Sequence, residues 1–286
     1  MTDLFFIYAL RDTNKDLLEE TFPLTEEEKE YLHSRHHLTR EIFRGNFNSP
    51  VHKVLKTGWA KVLDVGCDVG TWLFELSADY PGCTYIGTYT SPYSSLATVN
   101  KPFDVEFIEA DPVNGLPFED DSFDFVSMKN RSIEYSESEW KKIILELVRV
   151  LKPGGWLELS DYDYSWGTRG PTTEKLLNLF SSHLRLEQIS HFMDYMHMTA
   201  ELRNIQHEIK YLPLGSFAGR LGETSAQILS DTLKTFLPKL ANYFGIRIGD
   251  IDSIIKTVIE EAEENQSHLR FHRFFAQKET VLDLTS

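Results

Sequence analysis

The feature that most constrains the fold of this chain is a regular alternation of strand-like and helix-like segments between about residues 60 and 163. The strand-like segments are apolar, contain β-branched or aromatic residues and end near turn residues, which is typical of buried strands. They read AKVLDVG, CTYIGTY, DVEFIEA, SFDFVSM and GGWLELSDYD. Helical patterns separate several of them. Because right-handed crossovers place helices on both faces of a parallel sheet, this alternation predicts a doubly wound α/β fold.

The segments on either side of this core are predicted to be mainly helical. Thr25 is a good N-cap followed by acidic residues at the positive helix end, so we predict a helix from about Glu26 to Phe43. After Trp166 the pattern predicts helices at about 172–200, 222–242 and 250–265. Two extended runs, NIQHEIKYLPLG and SHLRFHRFFAQK, are expected to pair as a hairpin. An apolar run from Leu4 to Leu10 is expected to form a short strand or docking arm.

Charge and cysteine content exclude several classes of function. The 286 residues carry 29 Lys+Arg against 44 Asp+Glu, a formal net charge of -15. Such a field repels phosphate backbones and anionic membranes, so we expect neither a nucleic-acid nor a membrane partner. Cys67 and Cys83 have no metal-ligand spacing and indicate a reducing compartment. We therefore expect no metal, and a cytoplasmic or nuclear location without a signal peptide or membrane span.

A glycine-containing loop, VLDVGCDVG at residues 62–70, joins the first strand of the predicted sheet to the helix that follows it. Ligands of such sheets bind where loop amides and a helix N-terminus meet the carboxyl edge of the strands. Glycine allows the tight turn and leaves room for close approach of a ligand. An ordinary strand-to-helix turn would explain the loop alone equally well.

The motifs that follow this loop extend the pattern. Ala110 and Asp111 follow a strand, and the segments LPFEDDSFDFV and LKPGGWLEL come next. In this order they resemble class I S-adenosylmethionine-dependent methyltransferases, and most closely the fungal LaeA-like group. The features shared with that group include EEEKEYLHSRHHL, GTW, FDFVSMKNR, PGGWLEL and the closing EENQSHLRFHRFFAQK. The resemblance extends from about Glu26 to Lys278.

The resemblance implies a Rossmann-like sheet of seven mostly parallel strands with an N-terminal helix and a helical cap insertion. It divides the chain into four parts. Residues 1–54 form an arm and a helix over the cofactor cleft, and 55–165 form the core that binds S-adenosylmethionine, with S-adenosylhomocysteine as product. Residues 166–266 form a helical cap and substrate region with one core strand, and 267–286 form a C-terminal edge strand and tail.

The resemblance also assigns cofactor contacts to individual residues. Asp64 fixes the loop and the amino group of the methionine moiety, which the Cys67 carbonyl also faces, and Gly66 and Gly70 leave space. Asp111 accepts from the adenine amino group beside Pro112. The remaining contacts come from the ends of the second and fourth strands, at Tyr89, Thr90, Met128, Lys129 and Asn130. Turn geometry and strand termination are alternative explanations for these residues.

Two departures from the family pattern open a second interpretation. Asp68 replaces the middle glycine of the loop, and Tyr89 replaces the acidic residue that normally holds the ribose hydroxyls. A carboxylate at position 68 either crowds and repels the cofactor carboxylate or caps the next helix. The alternative function is therefore an inactive pseudo-methyltransferase that serves as a binding or scaffold protein in a complex. An NAD-type protein is disfavoured because the loop lacks G-x-G-x-x-G spacing.

The methyl acceptor, a small molecule or a protein side chain, is expected between the helix at 26–43 and a cap at 166–245. No catalytic residue is assigned, because orientation of an activated methyl group often needs no base. His36 and His37 are candidates for proton transfer, although a structural role is favoured. A role in core packing is likewise favoured for Tyr31, Trp72 and Tyr89. It is also favoured for the cluster of His191, Phe192, Met193, Tyr195, Met196, His197 and Met198.

Overall fold

The structure is a computed structural model that describes residues 25–90 and 101–280. Its helices are α1 (Glu26–Phe43), α2 (His52–Leu55), α3 (Thr71–Asp79), α4 (Glu137–Val150), α5 (Pro171–His183), α6 (Phe192–Met198), α7 (Gly219–Leu240) and α8 (Ile251–Glu264). Its strands are β1 (Lys61–Val65), β2 (Thr84–Tyr89), β3 (Val105–Glu109), β4 (Phe123–Lys129), β5 (Leu151–Asp163), β6 (Leu202–Pro213) and β7 (His268–Lys278). The run Leu4–Leu10 lies outside the described residues.

The strands form one seven-stranded sheet in the order β3-β2-β1-β4-β5-β7-β6. The first five strands of this order are parallel, and β7 pairs antiparallel with both β5 and β6. The predicted doubly wound, mostly parallel sheet is thus confirmed. Because the carboxyl ends of β1, β2, β3 and β4 lie along one edge, the loops that follow them are neighbours.

One expectation about the sheet is wrong. We expected residues 267–286 to supply an edge strand, but β7 lies inside the sheet, between β5 and β6. The hairpin with β6 exists as predicted, and it is β6 that forms the edge. The burial pattern gives the physical reason, since all residues from Phe271 to Ala276 are buried whereas most of β6 is exposed or half-buried.

Helix α1 begins at the capping box that the sequence indicates. The Thr25 side chain accepts from the Glu28 amide, and the Glu28 carboxylate accepts from the Thr25 amide. Leu32 packs with the core cluster beneath β1 and α3, whereas Leu38 packs with the cluster that holds α5, α7 and α8. Helix α1 therefore lies between the nucleotide-fold core and the helical layer formed by α5, α7 and α8.

The helical layer has a hydrophobic core of its own. Buried side chains of α5, α7 and α8, such as Leu176, Leu237 and Val258, form one cluster with Phe271 of β7. A second cluster joins α4 and α6 to the opposite face of the sheet. In the part of the chain that the structure describes, we find no helix with the length and apolar character of a membrane span.

Candidate active site

The candidate site lies at the carboxyl edge of the parallel strands, around the loop after β1. The Gly66 amide donates to the Thr88 hydroxyl at 3.3 Å, and the Cys67 amide donates to the Thr88 carbonyl at 2.9 Å. The loop closes with a 2.9 Å hydrogen bond from the Gly70 amide to the Cys67 carbonyl. The Cys67 carbonyl predicted to face a ligand is thus already an acceptor within the turn.

Both expected glycines of the loop have steric reasons to be glycine. Gly66 and Gly70 have φ angles of 70° and 80°, in the left-handed region. A Cβ at Gly66 would lie 2.6 Å from Nε of Arg131, and a Cβ at Gly70 would lie 2.5 Å from Cζ of Phe107. The space beside this loop is therefore shared with a guanidinium group and an aromatic ring.

The carboxylate of Asp68 is held by two arginines. Its Oδ2 accepts from Arg35 at 2.7 Å and its Oδ1 accepts from Arg131 at 2.5 Å. The residue keeps the left-handed backbone of the glycine it replaces, with φ of 50°. Burial alone would raise the pKa of Asp68, but Arg131 and Arg35 outweigh burial and lower it. Asp68 is therefore a neutralised anion.

Of the two roles considered for Asp68, capping of the next helix is wrong. The N-cap of α3 is Gly70, which provides no side-chain cap. The side chain instead bonds to the two guanidinium groups, which are the stronger partners for a partly buried carboxylate. Arg131 also donates to the Gly66 carbonyl at 3.0 Å and to Glu134 at 2.5 Å, so it ties the loop to the segment after β4.

Asp64 at the end of β1 is fully buried and ion-paired with Lys129 at the end of β4. Burial raises the pKa of Asp64, and Lys129 partly offsets this. The Lys129 ammonium lies 3.8 Å from the centre of the Trp72 ring. The end of β4 therefore brings a cation to the hollow between α1 and the loop.

Two acceptor oxygens at this hollow form no hydrogen bond within the described residues. They are Oδ2 of Asp64 and Oδ1 of Asn130, and both atoms are buried. Asp64 and Asn130 line the same space of about 440 Å³, which includes its open mouth. Buried acceptors without a donor are costly, so two of them at one hollow indicate a ligand with hydrogen-bond donors.

The residues predicted for the adenine end lie further along the same edge. Tyr89 is opposite Glu109 in the β2–β3 register, and the Ala110 amide donates to the Tyr89 carbonyl at 2.9 Å. The Tyr89 side chain is buried in the core with Cys67 and Trp72. Thr90 is half-buried, and Pro112 is buried. Asp111 accepts from the Val113 amide and the Asn114 side chain, both at 3.0 Å, so its carboxylate caps its own turn.

Met128 does not line the hollow that Lys129 and Asn130 line. Successive side chains of a strand point to opposite faces. Lys129 lines the hollow, whereas Met128 is buried in the cluster around α4. The Met128 side chain therefore does not line the hollow, and the predicted contact of this residue with the methionine end stays a prediction.

The two histidine candidates lie side by side, with ring centres 5.4 Å apart, and both contact the Glu75 carboxylate. His36 lines the hollow, where its Nε2 lies 2.9 Å from Oε2 of Glu75, and burial lowers its pKa to about 4. The His37 side chain is 57% exposed and lines a different depression. His36 is thus a weak base already bonded to a carboxylate, and of the two histidines it is the one that lines the hollow.

In the His–Met cluster at 191–198, Phe192, Tyr195 and Met196 are buried in the core, as favoured, while Met198 is 43% exposed.

Sequence reasoning missed three residues that shape the loop, Arg35, Arg131 and Thr88. The signal for the arginines was the acidic residue at position 68. A carboxylate in a buried loop requires cationic partners.

The comparisons with known proteins agree with this geometry. Residues 62–155 match the sequence profile of a family described as a methyltransferase domain. The N-methyltransferase gliN of Aspergillus fumigatus is 28% identical over 239 residues, which cover 76% of this chain and 82% of that protein. The secondary metabolism regulator laeA of Coprinopsis cinerea is 29% identical over 149 residues, which cover 50% and 35% respectively.

A solved structure gives the same architecture. Phosphoethanolamine N-methyltransferase 2 of Haemonchus contortus, described in complex with S-adenosyl-L-methionine, has a TM-score of 0.53 at 19% identity, over 89% of this chain and 59% of that one. At this identity the similarity shows the fold. The chain spans about two fifths of the length of several curated relatives that it matches. Residues 62–155 are thus a class I S-adenosylmethionine-dependent methyltransferase domain, and the chain is related to the fungal LaeA-like methyltransferases.

Proposed function

We propose that this chain transfers a methyl group from S-adenosylmethionine to an acceptor. The observation that carries the proposal is the pair of buried acceptor oxygens, Asp64 Oδ2 and Asn130 Oδ1, at one hollow on the carboxyl edge of the sheet. The amino group of a methionine moiety offers the donors that these oxygens lack. The residues present therefore fit the amino-acid end of the cofactor.

The charges around the hollow suit a zwitterionic ligand. Asp64 and Asn130 would hold the ammonium group, and the guanidinium groups of Arg35 and Arg131 would balance the carboxylate together with that of Asp68. When bound, the cofactor supplies a methyl carbon that its sulfonium activates, and an acceptor lone pair displaces the thioether. The chain itself orients the two partners and excludes water.

The alternative of an inactive scaffold loses one of its two motives. That interpretation rested partly on repulsion between Asp68 and a cofactor carboxylate, and the two arginine ion pairs of Asp68 remove this repulsion. The relative named as an N-methyltransferase, which aligns with 76% of this chain, supports an active enzyme. Nothing in the comparisons supports the scaffold.

The proposal is tested by calorimetric titration with S-adenosylhomocysteine. Asn130 has φ of 56°, so Asn130→Gly removes the side-chain oxygen without straining the backbone. We expect the parent to bind and the variant to bind about tenfold more weakly, as loss of one hydrogen bond to a charged group predicts. Asn204→Gly is the matched control, because Asn204 has φ of 54° and lies on the β6 edge. Absence of heat with the parent at millimolar ligand contradicts the proposal.

We also propose that the chain acts in a reducing compartment, the cytoplasm or the nucleus. Both cysteines, Cys67 and Cys83, are free and buried, which supports such a location.

A further inference from the structure

A second and larger cavity lies between α1 and the helical layer. It measures about 1030 Å³ when its open side is included, against about 440 Å³ for the hollow at the loop. Its walls come from α1, the end of β5, α5, α7 and α8. Leu176 and Phe180 of α5, Leu229 and Leu233 of α7, and Val258 of α8 are among the lining residues.

The cavity offers little to a polar ligand. The hydroxyls of Ser225 and Thr232 already donate to the Leu221 and Ile228 carbonyls of their own helix, each at 2.7 Å. The Thr173 hydroxyl donates to Glu261 at 2.7 Å. A peptide segment in this space would leave its backbone groups without partners, which is costly. The lining thus favours a small molecule over a protein side chain.

Three polar side chains of the lining, Tyr31, Arg35 and Tyr164, lie near one another at one end of the cavity. Arg35 is the single ionisable cation of the lining, and the Tyr31 ring lies 5.6 Å from its guanidinium carbon. The half-buried side chain of Tyr164 lines the same cavity. Arg35 also lines the hollow at the loop, where it pairs with Asp68. The polar end of the cavity therefore adjoins the proposed cofactor site.

We infer that this cavity holds the methyl acceptor, and that the acceptor is an uncharged small molecule with a mainly apolar body. Its reactive group lies at the end formed by Tyr31, Arg35 and Tyr164, facing the hollow. This inference rests on the proposed function, since an acceptor requires a bound methyl donor. The mainly apolar lining of the cavity is the property that limits the acceptor to this class of compound.

The probe for the test is N-phenyl-1-naphthylamine, a neutral apolar fluorophore that is excited directly. We expect the parent to bind it saturably, and Leu229→Trp or Ser225→Phe, which fill the cavity from two positions of α7, to weaken binding at least tenfold. Thr224→Trp, at an exposed position of the same helix, is the matched control and should leave binding unchanged. Calorimetry with S-adenosylhomocysteine is run on all four proteins, and its affinity should be the same in each.

Two results overturn the inference while leaving the proposed function intact. One is an absence of probe binding by a parent that binds S-adenosylhomocysteine. The other is equal probe affinity in the parent and in folded cavity-filling variants. If instead the probe responds to the variants as expected but no protein binds S-adenosylhomocysteine, the proposed function fails and the cavity is not an acceptor site.

Discussion

The hollow at the loop and the cavity beneath the helical layer are neighbours with opposite chemistry. The hollow is bordered by the ion pairs of Asp64 with Lys129 and of Asp68 with Arg35 and Arg131. The cavity is lined almost entirely by hydrocarbon and aromatic side chains, and Arg35 belongs to both. The two sites therefore differ in the ligand that they suit. Charged groups surround the hollow, where a zwitterion would bind, and apolar groups line the cavity, where an acceptor would bind.

The largest expected effect concerns the charged side of this comparison. Arg131→Met should lower the free energy of unfolding by about 3 to 5 kcal/mol, because Asp68 and Glu134 would each lose a buried cationic partner. Urea denaturation measures the change. Adding Asp68→Asn to this variant should recover part of the loss.

The matched control for that variant is Arg203→Met. Arg203 pairs with Glu279 at a half-exposed position, and its removal should cost less than about 1 kcal/mol. A loss of similar size in the two single variants would show that the ion pairs around Asp68 do not form in a water-excluded site.

On the apolar side, the expected effect is the smaller difference in stability between two leucine variants. Leu237 is fully buried and Leu233 lines the cavity, both on α7. Leu237→Ala should cost about 3 to 5 kcal/mol and Leu233→Ala about 2, because a side chain beside empty space loses fewer contacts. Urea denaturation of the two variants provides the comparison. Equal losses would indicate that the cavity closes in solution.

The pH dependence of stability tests how well the wall of the hollow is shielded from water. Burial lowers the pKa of His36 to about 4. The charges of Lys129 and His37 also lower this pKa, whereas Glu75 raises it. The unfolded chain therefore takes up a proton below about pH 6.5 that the folded chain refuses, so stability falls as pH decreases from 6.5 to 4. His36→Gln should remove about 2 to 3 kcal/mol of that fall, as measured by urea titrations at several pH values. Identical slopes would mean that His36 is hydrated.

Much of the fold was readable from local patterns. Thr25 and the acidic residues after it located the start of α1, and the apolar runs located β1 to β5. These features depend on residues close in sequence. The position of β7 inside the sheet depends on which partner covers which face, and periodicity does not record this.

In the candidate site, too, the features that depend on nearby residues were predicted and those that depend on tertiary contacts were not. Gly66 and Gly70 were predicted because a tight turn restricts the residue type there, and Asp64 was predicted from the resemblance to a methyltransferase family. The ion pairs of Asp68 were not, because Arg35 and Arg131 are 33 and 63 residues away and meet it only through the tertiary fold. The side chain of Met128 faces the cluster around α4 rather than the hollow, because alternate residues of a strand point to opposite faces.

The most direct test of the account is a crystal soaked with S-adenosylhomocysteine. We expect density for the amino-acid end of this compound beside Asp64 and Asn130, with its amino group at the two acceptor oxygens that have no donor in the described residues. An unchanged hollow at millimolar ligand, or density only at another part of the surface, would contradict it.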